Sequence, residues 1–270
     1  MTTFDLTGRA SGAVPAPVPP ARPRVVNSPL DPLSMDQVVD TVLEWTSSRR
    51  PHIAIGVNAA VCNLASRNAE FRRLVSRADL AYADGQSVVW AARALGVAVP
   101  ERVATTDLVY PLMQACARRG KRVYLYGGKP DVVEAAAERL RAYAPGLQLR
   151  FRHGFEPESR MADLIDDMNG FGTDVLLVGL GDPLQQEWID RHRDRLQVPA
   201  VLTCGGLFDW TSGSRRRAPQ WMIRGGLEWL WRLLLEPRRL ARRYLVGNPE
   251  FVARLVAQRI GARGARPTAG

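Results

Sequence analysis

Asp84 closes the short apolar run Leu80-Ala-Tyr-Ala83 and is followed at once by Gly85. Leu80 and Tyr82 alternate with alanines, which predicts a strand over residues 79–83. Val88, Val89, Trp90 and Ala92 then predict a helix over 87–95. A carboxylate at the C-terminal end of a strand, beside a helix N-terminus, stands where open α/β sheets bind their ligands. Asp84 has two readings there. It is a general base for a reacting hydroxyl, or it caps the helix that follows. Gly85 leaves room for a ligand beside it.

A second candidate is Gly127-Gly128-Lys129-Pro130, between a strand over 122–126 and a helix over 131–143. Backbone N–H groups at such a turn can approach a phosphate or a sugar. The spacing is neither G-x-G-x-x-G nor a Walker loop, and a plain βα turn explains the same residues. A third lies after the buried-type strand over 174–179, where Pro183 fits the first turn of a helix. Gln185 and Gln186 fall in that turn and are able to face the sheet edge, or, above all for Gln186, to point into solvent. His153, at a strand end, is placed to face the cleft, whereas His52 reads as a strand-edge residue and His192, between two arginines, as solvated surface. No cluster has metal-ligand spacing, so no metal site is expected. No Gly-x-Ser-x-Gly elbow or Cys/His pair suggests a covalent nucleophile.

The elements that must position these residues alternate. A helix over 34–46 begins with a capping box, Ser34 and Gln37. A strand over 52–57 leads to Asn58, which opens a helix to about 68. After the Asp84 unit, 102–107 read as a loop and 108–118 as a helix. Strands over 147–152 and 199–204, with a helix over 161–168, continue the rhythm. The expected fold is α/β: a Rossmann-like, mainly parallel sheet flanked by helices.

The chain has 270 residues and a net charge of +10. Residues 214–270 hold 13 Arg and 3 Glu, a balance equal to that of the whole chain. Such localised charge points to an anionic partner for that segment. Ala218–Leu235 is also dense in Trp and Leu. Interleaved Trp and Arg suit a membrane surface or a lipid-linked substrate, a packed helical subdomain, or nucleic acid; no basic binding motif supports the last. The expected division is a disordered Pro-rich tail (1–31), an α/β core (32–213), a helical appendage (214–247) and a basic tail (248–270). Three separated cysteines, Cys62, Cys116 and Cys204, form no disulfide framework and suit a reducing compartment. No apolar run is long enough to span a membrane, and no signal peptide is expected.

In order and spacing the motifs resemble the WecG/TagA/CpsF family of bacterial glycosyltransferases over about 32–244. The resemblance is carried by Asn58, Ala81-Tyr-Ala-Asp-Gly85, Glu101-Arg-Val103 with Asp107, Leu125-Tyr-Gly-Gly-Lys-Pro130 and Gly181-Asp-Pro-Leu-Gln185. It continues in Gly206-Leu-Phe-Asp209, Arg217-Ala-Pro-Gln-Trp221 and Gly226-Leu-Glu-Trp229. The resemblance implies transfer of a sugar from a UDP-sugar to a polyprenyl-diphosphate-linked sugar in surface polysaccharide synthesis. It implies inversion, neither metal nor cofactor, and a C-terminal appendage that docks on anionic membrane at the inner face of the bacterial cell. A homo-oligomer is compatible with it; a nucleic-acid partner is not implied.

Carried onto this chain, it makes Asp84 the base and puts Asn58, Arg102 and Gln185 around the pocket. Gly127, Gly128, Phe208 and Asp209 would contact the nucleotide. Arg217, Arg224 and Arg232 would neutralise the departing diphosphate. Three positions depart from the family pattern: Gly56 stands where Thr is frequent, Leu184-Gln185-Gln186 replaces Lys-Gln-Glu, and Thr105 replaces a Gly. They leave open which sugar is carried, an N-acetylmannosaminyl or a hexosyl group. The other reading, resting on Gly56 and Gln186, is a nucleotide-sugar-binding or regulatory protein without turnover.

Overall fold

The computed structural model describes residues 22–215 and 217–264, without the side chains of Gln220, Arg224, Arg239 and residues 262–264. It opens with a small hairpin, β1 (Arg24–Val25) and β2 (Ser28–Pro29). Next come α1 (Met35–Trp45), β3 (His52–Val57), α2 (Ala59–Arg67), α3 (Ala69–Ser76), β4 (Leu80–Ala83), α4 (Gln86–Ala94) and α5 (Thr105–Arg118). The chain continues through β5 (Arg122–Gly127), α6 (Pro130–Tyr143), β6 (Gln148–Arg152), α7 (Met161–Gly170), β7 (Val175–Gly179), α8 (Leu184–His192), β8 (Ala200–Thr203) and α9 (Leu207–Thr211). Last are α10 (Gln220–Arg224), α11 (Glu228–Leu235), α12 (Pro237–Ala241), one π-helical turn (Arg242–Val246) and α13 (Gly247–Gly264).

Strands β3 to β8 form one sheet in the order β4-β3-β8-β7-β5-β6, with every pair parallel. All their C-terminal ends therefore share one edge. In β3, β4, β5, β7 and β8 side chains alternate between two largely buried faces, as a covered parallel sheet requires, whereas edge strand β6 keeps Gln148, Arg150 and Arg152 exposed. Ala54, Val123, Leu125, Leu177 and Leu202 pack under α1, α5 and α6. Ile53, Ile55, Tyr124, Tyr126 and Leu176 pack with α2, α3, α7 and α8 on the other face. A third cluster beyond β4 joins the hairpin, α2, α4 and Phe251 of α13. The Ser34–Gln37 capping box is present in both halves, and the three cysteines are buried free thiols.

Several expectations change. Residues 1–21 of the Pro-rich stretch lie outside the described residues, but 22–31 are no tail: Val25, Val26 and Leu30 are buried, and Arg22 pairs with Asp31. Residues 248–264, read as a basic tail, continue α13. Its wall against the core is fixed by Asn63 Nδ2 donating to the Gly247 carbonyl at 2.7 Å, by the Arg67–Glu250 ion pair and by Gln258, which bonds the backbone of Arg24 and Val26. Helix α5 begins at Thr105, so Asp107 lies in its first turn rather than in a loop. Helix α3 was not foreseen. His192 is buried rather than solvated, because it follows Trp188 by one turn and packs on it at 5.1 Å; burial lowers its pKa. His52 begins an internal strand and stacks on Trp45.

Candidate active site

Three helix N-termini converge at the ends of β3 and β4. Asn58 caps α2, its Oδ1 accepting from the N–H groups of Ala60 and Val61 at 3.0 and 3.2 Å. Its Nδ2 points the other way and donates to Asp84 Oδ2 at 3.2 Å. Asp84 does not cap the helix that follows it; Gly85 occupies that position without a side-chain bond. Instead Asp84 Oδ1 accepts from the backbone N–H of Thr105 at 2.8 Å and from its hydroxyl at 3.1 Å. The carboxylate thus takes the first free amide of α5, an element twenty residues further on. That long-range cap is why α5 starts at Thr105. Tyr82, fully buried, holds its hydroxyl 2.9 Å from the same Thr105 oxygen.

Two of the sequence departures meet here. A Cβ on Gly56 would lie 3.0 Å from Thr105 Oγ1 and 3.1 Å from Asp84 Cβ. Thr105 fills that space from the opposite side, so the hydroxyl beside the carboxylate comes from residue 105 instead of residue 56.

Asp84 opens into a cavity of about 470 Å³ whose polar end also presents Asn58, Arg102, Glu228 and Arg232. Arg102 lies 3.1 Å from Glu228 and 3.5 Å from Asp107, and Arg217 pairs with Asp107 in turn. Arg232 Nη2 donates to Glu228 Oε1 at 2.6 Å and its guanidinium lies 4.7 Å over the Trp210 ring. Burial pushes the Glu228 pKa up, but Arg232 and Arg102 overcome this and hold it below its ordinary value. Burial likewise works against the Arg232 charge, while Glu228, Tyr244 and Asp84 favour it. Glu228 and Arg232 lie on α11, so the appendage completes the cationic wall over the core's carboxylate. Two buried atoms of cavity-lining residues, Asn63 Oδ1 and Arg232 Nε, have no hydrogen-bond partner among the described residues.

The other expected site residues are placed differently. Gln185 and Gln186 are both buried, neither of them in solvent, and each donates to Asp182 Oδ1, at 2.7 and 2.6 Å. Gln185 Oε1 also accepts from the Gly205 amide at 3.0 Å. Gln185 therefore ties the end of β7 to the end of β8 and does not line the Asp84 cavity. Gly127 and Gly128 have positive φ, 134° and 67°. A Cβ on Gly127 would collide with the Gly179 carbonyl at 2.4 Å, and one on Gly128 would touch Phe208 at 3.5 Å. These glycines serve the close approach of β5, β7 and a buried Phe208. Asp209 pairs with Arg215 at 3.4 Å. Arg224 ends α10, and its side chain lies outside the described residues. His153 Nδ1 accepts from the Phe155 amide at 3.2 Å and is not in the cavity. The sequence reading missed Thr105 as a carboxylate partner and Glu228 as the link between two arginines. The only local signals were a Thr in place of Gly and the i, i+4 spacing of Glu228 and Arg232.

The family model described as "Glycosyl transferase WecG/TagA/CpsF family" matches residues 23–265. An N-acetylglucosaminyldiphosphoundecaprenol N-acetyl-beta-D-mannosaminyltransferase of Bacillus spizizenii strain W23 is 31% identical over 189 residues, 70% of this chain and 72% of the relative. A protein of the same name from Bacillus subtilis strain 168 is 30% identical over 188 residues, 69% of this chain and 72% of the relative.

Proposed function

The chain belongs to the WecG/TagA/CpsF family of glycosyltransferases, and from that premise we propose that it moves a sugar from a UDP-sugar to a polyprenyl-diphosphate-linked sugar, with inversion and without a catalytic metal. The observation that carries this reading is the Asp84 carboxylate, fixed by Thr105 and Asn58 at the end of a cavity walled by arginines. Asp84 Oδ2 meets the Asn58 amide at 3.2 Å and keeps lone-pair capacity for an acceptor hydroxyl. As that oxygen forms its bond to the anomeric carbon, its proton passes to Asp84 and the bond from that carbon to the diphosphate breaks. The leaving diphosphate carries the charge of the transition state. Arg102 and Arg232 line the cavity and Arg217 is joined to Arg102 through Asp107; Glu228 and Asp107 aim all three at the departing charge. In this role the arginines replace a metal.

The donor is UDP-N-acetylmannosamine or a UDP-hexose. The two relatives are named for the N-acetylmannosaminyl group, which favours the first; the Gly56–Thr105 exchange alters the wall nearest the carboxylate and favours a test of both. The chain works as a peripheral protein on the inner face of the membrane. Exposed Trp221, Leu234 and Leu245 in the appendage support this, and no described helix is long and apolar enough to cross a bilayer.

The test is a donor panel. Purified protein is mixed with a polyprenyl-diphosphate-linked N-acetylglucosamine and UDP- or GDP-sugars, and nucleoside diphosphate release is followed with and without EDTA. Release with one UDP-sugar, unchanged by EDTA, is expected. Release that EDTA abolishes contradicts the metal-free mechanism, and failure of every donor to bind contradicts the transferase reading.

A further inference from the structure

The Asp84 cavity is longer than its polar end. Along α4 it is lined by Ser87, Trp90, Ala91 and Ala94, and along α13 by Gly247, Asn248, Phe251, Val252 and Leu255. Both sets recur at helical spacing, so each helix presents one stripe to the cavity. Each stripe covers about two turns, roughly 12 Å at the helical rise. Helix α4 starts beside Asp84 and leads away from it. Helix α13 starts over the second turn of α2, where Asn63 bonds the Gly247 carbonyl, and runs outward toward the hairpin, where Gln258 bonds Arg24 and Val26. The far arm of the cavity is therefore a mainly apolar slot between two helices, with Ser87 and Asn248 near its inner end and Arg243 beside it.

We propose that this slot between α4 and α13 receives the first isoprene units of the acceptor's polyprenyl chain. The proposal rests on the transfer reaction argued above. Arg102, Arg217 and Arg232 are taken by the donor's diphosphate, and inversion brings the acceptor to the opposite side of the anomeric carbon. An acceptor sugar that reaches Asp84 therefore turns its own diphosphate toward Arg243, which lines the cavity with Tyr244 and Gly247 at the start of α13, and the hydrocarbon joined to that diphosphate leaves from there. The slot is what adjoins that place. Ala91 and Ala94 keep it wide, and Phe251 and Leu255 give it an apolar wall. Its outer rim is apolar as well: Trp90 and Val252 are each 54% exposed, and Val256 and Ile260 continue the Val252 stripe along α13. A chain leaving the slot runs onto these exposed apolar side chains. The wall is preformed, since the Arg67–Glu250 pair and buried Phe251 fix α13 to the core. This gives residues 247–255 a part in substrate binding that a solvated basic tail would lack.

The test uses two soluble probes, N-acetylglucosamine diphosphate esterified to farnesol and the same head group esterified to methanol. Binding is measured by calorimetry without vesicles or detergent, so membrane docking contributes nothing. The intact protein should bind the farnesyl ester at least about tenfold more tightly, because several methylene groups leave water. Ala94→Trp and Val252→Asp, both at exposed slot positions, should erase that preference and leave the methyl ester unaffected. Equal binding of the two probes overturns the proposal, as does an equal loss of both in the variants. A change of oligomeric state in the variants by light scattering, with the farnesyl preference intact, assigns the face to a second copy and also overturns it. Chain-length preference without turnover on any donor overturns the transferase reading and leaves the slot standing. Turnover without chain-length preference does the reverse.

Discussion

Asp84 owes its position to two residues that lie far from it in sequence. Thr105 gives it a backbone and a hydroxyl hydrogen bond, and Asn58 an amide. Hydrogen bonds to a charged group are stronger than neutral ones. Thr105→Val keeps the size and the backbone bond but removes the hydroxyl. It should lower kcat roughly ten- to a hundredfold, on the order of one charged hydrogen bond, with donor and acceptor KM little changed. Thr105→Ser should restore kcat, and a Val variant that shifts only KM would refute the positioning role. The sequence made half of this legible. The strand ending in Asp84-Gly85 follows from alternation, and so does Asn58 at a helix start. The Thr105 contact does not, because it joins two loop ends through space. Its consequence, a helix starting at 105, was hidden because the cap comes from β4 and not from the residues before the helix.

At the scale of elements, Glu228 decides whether α11 belongs to the site. It is nearly buried between Arg102 of the core and Arg232 of its own helix. Removing one partner of such a network is costly because the remaining charges stay buried unpaired, on the order of 3 kcal/mol. Glu228→Gln should lower the melting temperature measurably and weaken donor binding, whereas unchanged melting and binding would show that α11 docks by apolar contact alone. The folded-state pKa of Glu228 lies below its ordinary value of 4.5. Its contribution is therefore complete above pH 4.5 and declines as pH falls through the depressed value. Melting curves of the intact protein and Glu228→Gln should converge as pH drops below 4.5; a constant gap would contradict the pairing. The core elements were legible because their faces alternate or repeat cleanly. Helix α13 was not. Phe251 is the one deeply buried apolar side chain among its described residues, and its anchors, Glu250 and Gln258, reach partners nearly two hundred residues or more away in sequence. His192 was misread for a related reason: its charged neighbours mask the i, i+4 spacing that places it on Trp188.

Across the whole molecule, a neutral α/β core carries the carboxylate and a basic helical segment completes the wall above it. The localised charge was visible in the sequence, and its partition between an outer face and an inner ion-pair network was not. The outer face yields its own prediction. Changing Trp221, Leu234 and Leu245 together to Ser should abolish flotation with vesicles containing anionic lipid while leaving melting unchanged, since all three are exposed. Undiminished flotation would remove these side chains from membrane contact. The proposed transfer depends on Asp84 taking the acceptor's proton. The most direct measurement compares nucleoside diphosphate release by the intact protein and Asp84→Asn at saturating donor and acceptor, with donor binding measured in parallel. A loss of about 10²- to 10⁴-fold in kcat is expected, with unchanged donor affinity and an intact fold. Turnover by Asp84→Asn within a few-fold of the intact protein would contradict it.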